Sequence, residues 1–251
     1  MEHITSLKNP KVAAWKALKD RKGRRESGCF LVEGRKMVEE ALASAFDVET
    51  VLVQEGMELP DGLTMPVYEL PEHVLTAVCD TKTPQGIAAV VRMKEQTALG
   101  GHIVVLDGVQ DPGNLGTIIR VADWFGVRTI LASRNTVDAF NPKVVQATMG
   151  ALARVEVHYV DLADTLAKAA AAGTAICGTL LDGENIYRSQ LPAAGIVVMG
   201  NEGNGLSQHV RALLTHRLLI PPYPASDADG VESLNVAMAT GIVLSEFRRR
   251  L

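Results

Sequence analysis

Three stretches of this chain place carboxylates, amides, an arginine and clustered glycines directly after short apolar runs. The first is DGVQDPGNLGTIIR, residues 107–120. An apolar run ends, Pro112-Gly113 makes a turn, and a helix opens near Asn114. Arg120 lies six residues beyond Asn114. On a helix that is about 120° off the face of Asn114 and nearly two turns further on. Its neighbours Ile118, Ile119, Val121 and Ala122 are apolar. An arginine among them predicts either a structural ion pair or a site, because an unpaired buried charge is costly.

The second stretch is GNEGNGLS, residues 200–207. Glycines at 200, 203 and 205 allow the backbone to approach a ligand closely. The spacing is neither the dinucleotide GxGxxG nor a phosphate loop ending in Lys-Ser or Lys-Thr. Glu202 sits inside the loop and would repel a phosphate. The loop therefore suits a ligand with positive or hydrogen-donating character, or else simply caps the helix at Leu206. The third stretch is IPPYPASDADGVESLN, residues 220–235. A strand runs into a loop rich in Pro, Asp and Gly, and Glu-Ser-Leu-Asn opens a last helix. Ser233 or a neighbour is the expected helix cap, and Asn235 is expected in the first turn with its amide free to face a ligand.

The elements that hold these loops alternate between helix and strand. Residues 10–22 read as one basic helix. FLVEG (30–34), VETVLVQ (48–54) and GIAAVVRM (86–93) read as strands, with helices over 35–44 and 71–80. The polar segment KEQTALGG (94–101) reads as a linker. Beyond it, IVVLDGV (103–109), RTILAS (128–133), TAICGTLL (174–181), GIVVMGN (195–201) and RLLIPP (217–222) are almost wholly apolar, as strands buried on both faces of a parallel sheet are. Helices are expected over 114–125, 142–152, 162–172, 207–214 and 234–249. The fold class is α/β, with an open, mostly parallel sheet in the second part. All three stretches then follow strands, where ligands of such sheets bind.

Composition narrows the function classes. Of 251 residues, 47% are hydrophobic and 22% charged, an ordinary globular balance. No apolar run reaches the ~18 residues of a membrane span, and MEHITSLKNPKVAAW lacks the apolar core of a secretory signal. A cytoplasmic protein without membrane attachment is expected. Cys29, Cys79 and Cys177 are far apart, and the histidines have no ligand spacing, so neither disulfides nor a metal site is expected. The net charge is −4, yet residues 1–36 carry ten Lys or Arg against four acids. A basic segment on an acidic body suits local gripping of phosphates, and equally suits a solvated charged helix.

In their order and spacing the three stretches resemble the three motifs of the SpoU (TrmH-like) family, the 2′-O-ribose branch of the SPOUT methyltransferases. The matching residues are DPGNLGTIIRVADWFGV, VVMGNEGNGLS, and IP followed by ESLNVAMATGIVLSEF. SLKNPKVAAWKAL, FLVEGRKMVEEAL and TPQGIAAV resemble the small substrate-binding domain that precedes the catalytic domain in many members. The resemblance implies residues 1–93 as an RNA substrate-binding domain and 102–251 as a SPOUT domain with a C-terminal deep trefoil knot. General topology rules argue against a knot.

It also implies S-adenosylmethionine as methyl donor, structured RNA as substrate (ribosomal rather than transfer RNA), and a homodimer in which both subunits contribute to each site. Asn114, Arg120, Glu202, Ser233 and Asn235 are then the catalytic positions. Gly178, Thr179, Gly200, Asn201, Gly203, Ile220 and Leu234 are then the cofactor positions. Arg120 would serve as base, or as anchor for a phosphate and a forming alkoxide. The family's third loop is short and contains Met and Gly, whereas PYPASDADGV here is longer and acidic at Asp227 and Asp229. Two other readings compete: an RNA-binding protein that keeps the fold without catalysis, and an oxidoreductase on a dinucleotide fold. The intact motif residues oppose the first. The missing GxGxxG opposes the second.

Overall fold

The structure is a computed structural model that describes residues 1–93, 103–223 and 233–250. The expected linker at 94–101 lies outside the described residues, as does the acidic part of the third loop, 224–232. In chain order the elements are β1 (Glu2–His3), α1 (Pro10–Ala17), α2 (Arg21–Ser27), β2 (Cys29–Glu33), α3 (Arg35–Ala43), β3 (Val48–Gln54), β4 (Val67–Leu70), α4 (Glu72–Val78) and β5 (Ile87–Arg92). They continue as β6 (Ile103–Asp107), α5 (Pro112–Trp124), β7 (Thr129–Ser133), α6 (Pro142–Thr148), β8 (Glu156–Val160), α7 (Leu162–Ala171), β9 (Ile176–Asn185), β10 (Ile196–Gly200), α8 (Gln208–Ala212), β11 (His216–Leu219) and α9 (Val236–Arg249). Internal contacts divide the chain into two units. One is Met1–Glu95 with Asp138–Ala153, and the other is Gln96–Val137 with Arg154–Leu251.

The first unit is built on a five-stranded mixed sheet in the order β1-β4-β3-β5-β2, with β5 antiparallel to both its neighbours. Val12, Trp15, Leu18, Leu52, Leu70, Val74 and Leu75 make one core. Phe30 packs against Phe46 and Phe140 elsewhere in the unit. The single basic helix expected over 10–22 is two helices. α1 ends at Leu18, and the Arg24 side chain, only 2% exposed, returns from α2 to donate hydrogen bonds to the carbonyls of Leu18 (2.8 Å) and Lys19 (2.7 Å). The same guanidinium pairs with Asp138 at 2.7 Å. One of the ten N-terminal cations is thus structural: it satisfies carbonyls left over where a helix stops. β1 and β4, short and half polar, are strands that hydrophobic periodicity does not single out.

The second unit carries a six-stranded sheet, parallel throughout, in the order β11-β9-β10-β6-β7-β8. Strands β6, β7 and β10 are buried over nearly their whole length, which is why their sequences run apolar rather than alternating. Val105, Leu131, Leu162, Leu166, Ile176 and Val198 join strands to helices in one core. β8 lies at the sheet edge and is half exposed, so its alternating sequence EVHYV carries a weak strand signal. β9 and β11 shift register between Arg217 and Leu218. There the Leu218 backbone passes so close to Gly183 that a Cβ would meet it at 2.5 Å. β6 and β10 are neighbours in register, so Asp107 and Gly200 end side by side. The loops that follow them are therefore adjacent, and this adjacency builds the site.

Candidate active site

Each motif is shaped by its own backbone before it meets the others. Asp111 caps α5 by accepting the Asn114 N–H at 2.8 Å, and Pro112 fills the first turn, where no donor is needed. The helix therefore starts two residues before Asn114, on which the sequence reading had placed it. In the glycine loop, Asn201 and Gly205 exchange backbone hydrogen bonds at 2.9 and 3.0 Å. The turn works because Gly205 adopts φ 65°. It also needs Gly200 bare, since a Cβ there would lie 2.5 Å from the Gly205 backbone. Asn235, not Ser233, caps α9: its Oδ1 accepts from the N–H groups of Ala237 (2.9 Å) and Met238 (3.3 Å). The helix begins at Val236. Asn235 is outside the first turn because its side chain does the capping.

Side chains then tie the three loops together. Asn201 Nδ2 donates to the Gly108 carbonyl at 2.7 Å, and its Oδ1 accepts from Gly203 (3.0 Å) and Asn204 (2.9 Å). Asp107 accepts the Ser207 N–H at 2.7 Å. Asn114 Nδ2 donates to Glu202 Oε1 at 3.0 Å, and Asn235 Nδ2 donates to Asn114 Oδ1 at 2.8 Å. One line of hydrogen bonds thus runs from the second motif through the first to the third. It leaves Asn114 fixed on both atoms of its amide.

Arg120 stands apart from that line. It is exposed on α5 and has no hydrogen-bond or ion-pair partner among the described residues. Of the two expectations for Arg120, an ion pair or a site, the ion pair is not found among the described residues. Its apolar neighbours Ile118, Ile119 and Ala122 face the core, while Arg120 faces solvent.

A cavity of about 530 Å³ opens beside the glycine loop. That is within the range of small-molecule sites, roughly 300–1,000 Å³. Of the sequence-derived positions, Thr179, Gly200, Asn201, Glu202, Gly203, Ile220, Ser233 and Leu234 line it. Gly178, Asn114, Arg120 and Asn235 do not. Gly178 faces the other way, where a Cβ would strike the Leu214 side chain at 2.6 Å. Two charged lining residues were missed by sequence reasoning, Asp182 and Arg211. Asp182 accepts from Arg211 Nη2 at 3.2 Å and from Arg217 at 2.5 Å. The Arg217 hydrogen bond holds its carboxyl below the usual carboxylate range. No spacing rule marks these residues, since Asp182 on β9 and Arg211 on α8 are brought together only by the tertiary fold. Among the described residues no cluster of His, Cys, Asp and Glu has the makings of a metal site.

The cavity's chemistry fits S-adenosylmethionine. Glu202 complements its sulfonium, and Leu180, Leu219, Ile220 and Val236 offer apolar surface for an adenine ring. Comparisons with known proteins point the same way. A model of the SpoU rRNA Methylase family matches residues 101–245, and one of an MRM3-like substrate binding domain matches residues 9–89. The 23S rRNA (guanosine(2553)-2′-O)-methyltransferase RlmP of Bacillus subtilis is 36% identical over 99% of this chain and 100% of its own length. The AdoMet-bound rRNA methyltransferase from Sinorhizobium meliloti superposes with a TM-score of 0.86 at 31% identity, covering 100% of this chain and 98% of that one. The SpoU methyltransferase AviRb from Streptomyces viridochromogenes, in complex with AdoMet, gives 0.84 at 26% identity over 97% and 98%. The chain belongs to the SpoU family of SPOUT RNA methyltransferases.

Proposed function

We propose that this protein methylates a ribose 2′-hydroxyl of ribosomal RNA, with S-adenosylmethionine as donor. The observation that carries this reading is the Glu202–Asn114–Asn235 line of hydrogen bonds, which joins three motifs to a cavity that Glu202 lines. The donor supplies an electrophilic methyl group on a sulfonium. Thr179, Gly200, Gly203, Ile220 and Leu234 would hold it, together with Asn201, which sets the shape of the glycine loop. Methyl transfer needs the ribose oxygen oriented and relieved of its proton. Asn114, fixed by two partners, orients the ribose. Glu202 holds Asn114 by accepting its amide hydrogen. Ser233 and Asn235 border the ribose side. Arg120, exposed and without a partner among the described residues, donates to the adjacent phosphate and to the oxygen as negative charge develops there. A guanidinium stays protonated at neutral pH, which favours this role over that of a literal base.

The same reading carries four finer statements. Residues 1–93 serve as the RNA-binding domain, 94–101 as linker and 102–251 as the methyltransferase. The C-terminal stretch forms a deep trefoil knot around the donor, supported by family membership and by α9 packing on α5. Two copies pair through α5 and α9, on which Trp124 (86%) and Met238 (63%) are exposed; a sedimentation mass near the 26.9 kDa of one chain would remove this statement. The location is cytoplasmic, where ribosomal RNA is met, and no described helix is long and apolar enough to cross a membrane. The test is tritiated methyl transfer to an unmodified 23S rRNA transcript, followed by alkaline hydrolysis. Label retained in alkali-resistant dinucleotides is the expected result. Label in alkali-labile mononucleotides, or no label in the transcript, overturns the reading.

A further inference from the structure

The cavity holds one cationic side chain among its described lining residues, Arg211, and the methyl donor carries one anionic group, its carboxylate. Arg211 sits in the last turn of α8, just beyond the glycine loop. Its contact with Asp182 uses Nη2 alone, at 3.2 Å to each carboxylate oxygen. Nε and Nη1 have no partner among the described residues, so donors remain for a second acceptor. Asp182 is also claimed by Arg217, which does not line the cavity. Two guanidinium groups share one carboxylate, so this rim carries an excess positive charge. Asp182 is pinned from the neighbouring strand, and it in turn fixes where Arg211 points.

The cavity's other carboxylate is held differently. Glu202 accepts from the neutral amides of Asn114 and Asn201, and Asn235 in turn holds Asn114. No cation offsets its charge among the described residues, and it adjoins the groups assigned to the ribose. A sulfonium belongs beside Glu202, and the donor's carboxylate belongs beside Arg211. We infer that Arg211 reads the carboxylate of the methyl donor, and that Asp182 and Arg217 are positioning residues for it. This rests on the donor assignment made above.

The experiment is calorimetric titration of the full chain with S-adenosylmethionine and with its decarboxylated form, which lacks only the carboxylate. Wild type should bind the complete donor about ten- to a hundredfold more tightly, as hydrogen bonds to a charged group require. Arg211→Met should abolish that preference, lowering affinity for the complete donor to that for the decarboxylated one, with the latter unchanged. Arg211→Lys should restore part of it, which a general folding defect would not do. Equal binding of both ligands by wild type, or an equal loss of both in Arg211→Met, overturns the inference while leaving the donor assignment standing. Failure of wild type to bind either ligand overturns both.

Discussion

Two carboxylates line the same cavity and are held in opposite ways. Glu202 accepts from the Asn114 and Asn201 amides, with the backbone N–H groups of Gln110 and Asp111 at 3.5 Å, and no cation touches it among the described residues. Asp182 is gripped by two arginines at a rim where its side chain is 60% exposed. A carboxylate held by neutral dipoles keeps its full charge available to a positive ligand. One held by two arginines gives its charge to positioning them. Identity of side chain says little about role here; the partners decide it.

The largest expected effect lies outside both clusters. Arg120→Ala should lower methyl transfer by about a thousandfold, the upper range for removing a donor that stabilises a developing oxyanion. Donor affinity by calorimetry should stay within about twofold, since Arg120 does not line the cavity. Turnover within tenfold of wild type would remove it from the chemistry.

Glu202→Gln should lower kcat by about 10- to 100-fold, because an amide cannot both keep the Asn114 bond and carry charge, and small misplacements are costly. Asp182→Asn should act on donor Kd instead, by about two- to fivefold, the range of an exposed ion pair. Stopped and steady-state assays on the two variants separate these outcomes. A kcat loss in Asp182→Asn as large as that in Glu202→Gln would erase the distinction between the two carboxylates.

A third carboxylate shows what arginines do when the acid is buried. Glu246 on α9 is 5% exposed and accepts from Arg249 at 2.8 Å and from Arg250 at 2.7 Å. The Arg249 hydrogen bond first, then that of Arg250, pull its pKa from 4.5 to about 2. A depressed acid stabilises the fold above its unfolded pKa and loses that contribution as pH falls. Glu246→Gln should therefore cost on the order of 2 kcal/mol at pH 7 in denaturant unfolding. The difference from wild type should shrink between about pH 4.5 and pH 2. A difference independent of pH would contradict the assigned cause.

The sequence made the parallel sheet legible because its inner strands are buried on both faces and so run apolar. It made the three loops legible because glycine, asparagine and glutamate are unusual together at strand ends. Three kinds of feature were not legible. β1, β4 and β8 are short or half exposed, so tertiary pairing rather than pattern defines them. The break between α1 and α2 depends on Arg24 reaching back to carbonyls and across to Asp138, a contact between residues 114 apart. Asp182 and Arg217 meet because β9 and β11 are adjacent, and Arg211 joins them from α8; pairing of distant elements leaves no local trace. The exposure of Arg120 follows from helix geometry: apolar neighbours do not bury a residue that faces outward.

The most direct test of the central claim is a map of 2′-O-methyl groups across total RNA from a strain lacking this protein, against the parent and against strains carrying wild type or Arg120→Ala. Loss of a ribosomal RNA 2′-O-methyl group on deletion is expected, restored by wild type and not by Arg120→Ala. A ribosomal RNA map unchanged by deletion would contradict the account.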